Sequence, residues 1–154
     1  MNLDEVSILF SQEQIKARVK ELGEQITRDY QGQNLLVIGV LKGAFVFMAD
    51  LIREINLPVE VDFISVSSYG ASTVSSGEVR ITKDLDHSVE GKSVLLVEDI
   101  VDTGLTLNYI EEIFQKRNPA NVKICCLLDK PSRRRSSVAA YRFGGALFLW
   151  LVMV

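Results

Sequence analysis

Apolar residues follow two different periods along this chain, and together they predict alternating helices and strands. Near the N-terminus a set of apolar residues repeats at the three- to four-residue spacing of a helix: Ile15, Val19, Leu22 and Ile26. Ser11 precedes this set. Gln14 lies three residues after Ser11, which is the spacing of a capping box. The pattern therefore predicts an amphipathic helix from Ser11 to about Tyr30.

Further along the chain, apolar runs and their polar boundaries predict five strands and two more helices. The strands are predicted over residues 35–40, 59–67, 78–82 and 122–128 and from Val94 onward, and the helices over residues 44–55 and 105–117. Residues 70–77 are rich in Ser, Thr and Gly and are predicted to form a loop. Strands that alternate with helices favour a parallel α/β sheet, with ligands at the carboxyl ends of the strands. No linker divides the chain, so residues 1–154 are predicted to be a single domain.

In the strand predicted over residues 59–67, apolar and polar side chains alternate. Val59, Val61 and Phe63 are expected on one face, and Glu60 and Asp62 on the other. This alternation predicts that one face of the strand is apolar and the other is polar.

The segment richest in candidate chemistry is residues 94–106, which read Val-Leu-Leu-Val-Glu-Asp-Ile-Val-Asp-Thr-Gly-Leu-Thr. The apolar run predicts a buried strand, and Gly104 with its two threonine neighbours places backbone N–H groups at a helix N-terminus, where anions bind. A phosphate there would lie beside Glu98, Asp99 and Asp102, which suit hydroxyls, a metal ion or a proton. The alternative is a solvated helix entry with Asp102 as N-cap. A phosphorylated sugar fits the segment better than a nucleoside triphosphate.

This segment resembles the phosphoribosyl-pyrophosphate (PRPP) motif of type I phosphoribosyltransferases, and is most similar to the hypoxanthine-guanine branch. Three further motifs agree with that family in order and spacing: residues 39–44 (Gly-Val-Leu-Lys-Gly-Ala), 67–70 (Ser-Ser-Tyr-Gly) and 127–131 (Leu-Leu-Asp-Lys-Pro). The resemblance covers roughly residues 5–134. It implies the α/β parallel-sheet fold of type I phosphoribosyltransferases, with a Rossmann-like core and helices on both faces.

The resemblance also implies a reaction. Ribose 5-phosphate would pass from PRPP to a 6-oxopurine, hypoxanthine or guanine, giving IMP or GMP and pyrophosphate in purine salvage. Mg²⁺ would be the cofactor, and the protein would be a cytoplasmic homodimer or homotetramer. The alternative is a non-catalytic protein that binds PRPP as a regulator or serves as an oligomer partner.

By this resemblance, most of the PRPP site lies in one segment. The 5-phosphate would be bound by five consecutive residues: Asp102, Thr103, Gly104, Leu105 and Thr106. Asp102 would also lie near N7 of the purine, where a carboxylate can act as general base. Glu98 and Asp99 would face the ribose hydroxyls and the Mg²⁺ ion, since hard oxygen ligands suit that ion.

The other motifs supply the remaining contacts that the resemblance implies. Lys42 and Gly43 would meet the pyrophosphate, Ser68 and Tyr69 would begin a lid that excludes water, and Lys130 would contact the purine 6-oxo group. Each has an ordinary alternative when taken alone. These are a solvated lysine before a helix, an exposed tyrosine in a surface turn, and a lysine at a strand end.

Composition narrows the classes of partner. The net charge of −3 and the pI of about 5.2 provide no basic field for nucleic acid, and no membrane association is expected. The N-terminus lacks the apolar stretch of a signal peptide. Cys125 and Cys126 are adjacent on an apolar strand and are expected to be buried thiols in a reducing compartment. His87 and the arginines at residues 133–135 are expected to be solvated.

After Arg134 the chain departs from the family, which continues with a Phe-Val-Val-Gly-Tyr-Gly segment. If that segment is encoded as TTT GTG GTT GGT TAT GGT, reading one base later gives Leu-Trp-Leu-Val-Met-Val, which is the sequence of residues 149–154. We therefore expect a frameshift near Arg134, so that residues 135–154 are aberrant and the C-terminal hood over the purine is incomplete. The expected consequence is weak or absent turnover. The apolar end would either form a replacement strand or stay exposed.

Overall fold

The structure is a computed structural model, and it describes residues 8–68, 79–136 and 151–152. Its elements, in chain order, are α1 (Gln12–Asp29), β1 (Leu35–Leu41), α2 (Phe45–Glu54), β2 (Val59–Ser68), β3 (Val79–Lys83), β4 (Ser93–Val101), α3 (Leu105–Gln115), β5 (Asn121–Asp129) and β6 (Leu151–Val152). The predicted capping box of α1 is confirmed: the Gln14 N–H donates to the Ser11 hydroxyl, and the Ser11 N–H donates to Gln14 Oε1 at 2.8 Å. Every predicted helix and strand is present, with ends shifted by a few residues.

The strands form one sheet in the order β3–β2–β1–β4–β5–β6. All neighbouring pairs are parallel except β2 and β3, which are antiparallel. The predicted parallel sheet is therefore confirmed for four of the five predicted strands and extends to β6, whereas β3 departs from it. A parallel neighbour requires a crossover of a dozen or more residues, usually a helix. Only residues 69–78 connect β2 to β3, so the chain returns antiparallel at this edge.

Helices cover both faces of the sheet, as expected. Successive residues of β1 and β4 point to opposite faces, so each strand contributes to two apolar clusters. On one face α1 and α2 pack against the strands through Val19, Leu22, Ile26, Phe47, Met48, Leu51, Leu35, Val37, Leu95 and Val97. On the other face α3 packs through Leu107, Ile110, Phe114, Leu36, Ile38, Val94 and Leu96. The first five residues of β4 are buried, which is typical of a strand covered on both sides.

The predicted alternation along β2 is confirmed, since Val59, Val61 and Phe63 pack together against one core cluster, but one residue of the opposite, polar face is buried. Asp62 is only 3% exposed, and its carboxylate accepts the backbone N–H groups of Phe63, Asp86 and His87. The imidazole Nδ1 of His87 lies 3.0 Å from Asp62 Oδ2, so His87 is not purely solvated although about half of its side chain is exposed. Asp62 is buried because it anchors the turn that leads from β3 to β4.

At the other edge of the sheet, β6 pairs with the end of β5, with Leu128 opposite Leu151 and Asp129 opposite Val152. This matches the replacement strand expected for the apolar end. The rest of the predicted aberrant segment and the incomplete hood lie outside the described residues, as do Tyr69 and the loop at residues 70–77. Among the described residues, no helix has both the length and the apolar character to cross a membrane.

Candidate active site

The sequence-predicted site residues that the structure describes gather at the carboxyl ends of the parallel strands. Lys42 follows β1, Asp102 follows β4 and Lys130 follows β5, and these three strands are adjacent in the order β1–β4–β5. Ser68 is the last residue of β2, the neighbour of β1. Because the carboxyl ends of parallel strands meet at the same edge, residues far apart in sequence are brought together there.

The loop between β4 and α3 has the geometry of an anion site. Gly104 has φ of 82° and is the N-cap of α3, which begins at Leu105. This left-handed conformation suits glycine, which has no Cβ to clash. The Thr103 N–H donates to Asp102 Oδ1 at 2.6 Å, so the loop itself orients the Asp102 carboxylate. The first N–H groups of α3 have no carbonyl partner within the helix and carry the positive end of its dipole.

A cavity of about 200 Å³ lies beside this loop. It is lined by Glu98, Asp99, Ile100, Val101, Asp102, Gly104, Thr106 and Leu107. Three carboxylates and the start of a helix therefore share one small cavity, which suits a phosphorylated, hydroxyl-rich ligand better than an apolar one. A wider groove of about 550 Å³ lies between α1 and α2, but none of the sequence-predicted site residues lines it.

Glu98 and Asp99 form an electrostatically strained pair at the end of β4. The Asp99 N–H donates to Glu98 Oε1 at 3.0 Å, and the Ile100 N–H donates to Asp99 Oδ1 at 2.8 Å. Burial raises the pKa of Glu98 to about 8, helped by its side-chain hydrogen bond to Asp99 and by the charges of Asp99 and Asp102. The site therefore carries a carboxyl group that favours either a proton or a bound cation near neutral pH.

The loop after β1 touches this carboxylate pair. The Leu41–Lys42 peptide bond is cis. A Cβ added at Gly43 would lie 2.7 Å from Asp99 Oδ2 and 3.0 Å from the Asp99 carboxyl carbon. Only glycine lets the Lys42–Gly43 backbone approach the Asp99 carboxylate this closely, so this contact fixes the distance between the two loops.

The resemblance implies that the Lys42–Gly43 loop binds Mg²⁺-pyrophosphate. If it does, replacing Gly43 with alanine is expected to weaken that binding by about tenfold, because the added methyl group must push Asp99 or the Lys42 loop out of place. Isothermal titration calorimetry would measure the affinity. Gly91→Ala is the matched control, since Gly91 has φ of 70° and open space around it in a turn outside the site. It should lower stability without changing affinity. Equal affinities for the two variants would contradict the prediction.

The segment after β5 contributes a residue that the sequence did not single out. The Lys130 N–H donates to the Val101 carbonyl at 2.8 Å, which places Lys130 beside the end of β4. The Arg134 guanidinium pairs with Asp129, and its Nε donates to the Asp102 carbonyl at 3.1 Å. The prediction that Arg134 lies in a solvated turn, made from its place in an arginine triplet, is therefore wrong for this residue. Spacing alone gives no signal for this residue, since one of its partners, the Asp102 carbonyl, lies 32 positions away in the loop after β4.

The family model of the phosphoribosyl transferase domain matches residues 5–146. The chain belongs to this family. The match extends beyond residue 134, where the resemblance was expected to end. The frameshift therefore stays a prediction, and its exact position is not fixed by the match. The type I phosphoribosyltransferase fold predicted from the PRPP motif is confirmed.

Several phosphoribosyltransferases are similar to this chain over most of its length. The hypoxanthine-guanine phosphoribosyltransferase of Bacillus subtilis (strain 168) is 55% identical over 140 residues, which are 91% of this chain and 78% of the relative. The hypoxanthine phosphoribosyltransferase of Haemophilus influenzae is 52% identical, covering 90% of this chain and 79% of the relative. A crystal structure of a hypoxanthine-guanine phosphoribosyltransferase from Bacillus anthracis superimposes with a TM-score of 0.82 at 50% identity, covering 88% of this chain and 80% of that one.

Proposed function

We propose that this chain transfers ribose 5-phosphate from PRPP to hypoxanthine or guanine, releasing pyrophosphate, in purine salvage. The observation that carries the proposal is the cavity in which the start of α3 meets Glu98, Asp99 and Asp102. The similar proteins named above are hypoxanthine or hypoxanthine-guanine phosphoribosyltransferases, which favours the same reaction here. None of them supports the alternative of a non-catalytic PRPP-binding regulator.

The reaction passes through a transition state in which positive charge grows on the ribose and negative charge leaves with pyrophosphate. The 5-phosphate is assigned to the backbone and hydroxyls of five residues: Asp102, Thr103, Gly104, Leu105 and Thr106. The Asp102 carboxylate is assigned the role of general base at N7 of the purine. Its hydrogen bond from the Thr103 N–H supports this role, because it holds the carboxylate at the rim of the phosphate loop. Carboxylates beside the ribose would also stabilise its developing positive charge.

Pyrophosphate is assigned to Lys42 and Gly43, and Mg²⁺ to Glu98 and Asp99. Across the described residues, no cluster of three or more His, Cys, Asp or Glu side chains offers a complete protein metal site. Two adjacent carboxylates nevertheless fit Mg²⁺, which typically binds one or two carboxylates together with substrate phosphates and waters. The pKa of Glu98 is raised first by burial and then by the neighbouring carboxylates of Asp99 and Asp102, and a bound cation would offset both the burial of the charge and this repulsion, which supports the assignment. When bound, Mg²⁺ would neutralise the charge that develops on the leaving pyrophosphate.

Base recognition is assigned to Lys130, whose ammonium would donate to the 6-oxo group of the purine. Lys130→Ala is expected to raise the KM for hypoxanthine by about 10- to 100-fold, as for the loss of a charged hydrogen bond, and to leave the Kd for PRPP unchanged. Steady-state kinetics and calorimetry measure the two quantities. Lys20→Ala, on the exposed face of α1, is the matched control. A parallel loss of both affinities would argue against a role in base recognition.

Three further assignments belong to the proposal. Ser68, at the end of β2, and Tyr69, outside the described residues, would begin the lid over PRPP. Self-association as a homodimer or homotetramer is supported by the exposed apolar side chains of Phe45 and Val46. A cytoplasmic location is supported by the free cysteines of β5, which are typical of a reducing compartment.

The direct test is a spectrophotometric assay for IMP formation from hypoxanthine, PRPP and Mg²⁺. Product formation that requires all three components supports the proposed function. The incomplete hood predicted from the sequence would make turnover slow, so the assay is run at high protein concentration and over long times. PRPP binding measured by calorimetry without any detectable product under these conditions, from either hypoxanthine or guanine, would contradict the proposed function.

A further inference from the structure

The peptide carbonyls at the start of the phosphate loop are held from the side of the chain that follows β5. The Asp102 carbonyl accepts from Arg134 Nε at 3.1 Å. The Thr103 carbonyl accepts from the N–H groups of Arg135 at 2.9 Å and Ser136 at 3.1 Å. In a trans peptide the C=O of one residue and the N–H of the next point in opposite directions. Engaging these two carbonyls on one side therefore turns the N–H groups of Thr103 and Gly104 to the other side.

Arg134 is the side chain that connects this arrangement to the sheet. Its guanidinium pairs with Asp129, and the side chains of Arg134 and Asp129 are only 25% and 14% exposed. Asp129 is the last residue of β5 and lies opposite Val101, the last residue of β4. The guanidinium therefore bridges the ends of β4 and β5. The end of β5, Asp129, is the residue before Lys130.

We propose that Arg134 is a positioning residue for the 5-phosphate site. By bonding the Asp102 carbonyl while it is anchored to Asp129, it turns the Thr103 N–H toward the Asp102 carboxylate, which accepts it, and so leaves the Gly104 N–H and the first N–H groups of α3 to receive the phosphate. This inference rests on the proposed function. It assigns no contact between Arg134 and the substrate.

The choice of side chain at this position follows from donor geometry. Arginine presents a planar fork of donors and is always charged, so one guanidinium can bond a carboxylate and a carbonyl in a fixed relation. A lysine keeps the charge that pairs with Asp129, but its single ammonium cannot hold both acceptors in the same geometry. Arg134→Lys therefore separates positioning from charge, and Arg133→Lys, at an exposed neighbouring position, is the matched control.

Two ligands test the inference without requiring turnover. Ribose 5-phosphate reports on the loop that Arg134 holds, and Mg²⁺-pyrophosphate reports on the separate Lys42 and Gly43 loop. We expect Arg134→Lys to weaken ribose 5-phosphate binding by about 10- to 100-fold and to leave Mg²⁺-pyrophosphate binding within about threefold of wild type. Asp129→Asn, which removes the anchor but keeps the Arg134 donor, should give a smaller loss for the same ligand. Thermal unfolding of each variant confirms that the protein is folded.

A selective loss of ribose 5-phosphate affinity in Arg134→Lys, absent from Arg133→Lys, supports the inference. Equal losses for both ligands, or no loss for ribose 5-phosphate, would overturn it, because a merely structural role has no reason to distinguish the two loops. If the wild-type chain bound neither ligand, the proposed function would fail, and this inference would fail with it. If wild type bound both ligands and Arg134→Lys did the same, only the positioning role would fail.

Discussion

Replacing Asp102 with asparagine should lower kcat for IMP formation by about 10²- to 10⁴-fold, the range expected for the loss of a general base. The amide oxygen of asparagine can still accept the Thr103 N–H, which lies 2.6 Å from Asp102 Oδ1 in the structure. The loop should therefore keep its shape while the group that accepts the proton from the purine is lost. Binding of ribose 5-phosphate should stay within about threefold of wild type, since its contacts are mainly backbone N–H groups.

The measurement should resolve the chemical step. Product release limits kcat in many enzymes, so a single-turnover experiment is the better readout. Asp50→Asn provides the matched control, because Asp50 is a half-exposed residue of α2 that pairs with Arg53 far from the strand ends. If Asp102→Asn retained a single-turnover rate within tenfold of wild type, another group would have to accept the proton.

The β4–loop–α3 unit could be predicted from the sequence because its signals are local. A run of apolar residues predicts a buried strand, and the strand is observed over Ser93–Val101. Gly104 at the helix entry adopts the left-handed conformation that glycine favours, and α3 starts at the next residue. Each of these features depends on residue types within a few positions of one another. The same holds for the Ser11 capping box.

The burial of Asp62 and the role of Arg134 could not be predicted, because each side chain has a partner that is remote in sequence. Asp62 binds the backbone of residues 24 and 25 positions away, and Arg134 binds the Asp102 carbonyl 32 positions away. Period-two alternation correctly placed Asp62 on a polar face, but it carries no information about what covers that face. Likewise, an arginine triplet suggests a solvated turn until the fold places one guanidinium between two strand ends.

The properties of Glu98 are also a product of tertiary structure. The sequence predicts Glu98 at the end of an apolar strand but does not predict its raised pKa, because burial beside Asp99 and Asp102 depends on how β4 packs in the sheet. This burial has a consequence for stability that differs in sign from the usual case of an acidic residue. Most carboxylates in folded proteins have lowered pKa values and stabilise the fold above pH 4.

For Glu98 the folded-state pKa is about 8, against an ordinary value of 4.5. Between these two values the folded protein retains the proton, whereas the unfolded chain has lost it. Unfolding therefore releases a proton, and the contribution of Glu98 to the free energy of unfolding falls as the pH rises through this window. The slope is at most about 1.4 kcal/mol per pH unit, and it vanishes above the folded-state pKa.

Glu98→Gln should remove this slope. Glutamine resembles the protonated acid in shape, and its amide oxygen can still accept the Asp99 N–H. In metal-free buffer at pH 5 the variant and the wild type should have similar stability. At pH 8.5 the variant should be more stable by on the order of 3 kcal/mol, or roughly 6 to 12 °C in Tm for a domain of this size. Thermal unfolding followed by circular dichroism at a series of pH values measures the difference.

Glu112→Gln is the matched control, because it makes the same chemical change at an exposed position of α3 that does not line the cavity. Chelator is needed in these experiments, since a divalent cation would compete with the proton for Glu98. Adding Mg²⁺ and pyrophosphate should then stabilise the wild type at pH 8.5 more than Glu98→Gln. Only the wild type has a carboxylate at position 98 that can bind the ion. A Glu98→Gln variant with the same pH dependence of Tm as the wild type would show that the Glu98 carboxyl group ionises as readily in the folded protein as in the unfolded chain. The raised pKa would then no longer support the proposal that Glu98 binds either a proton or a cation at the end of β4.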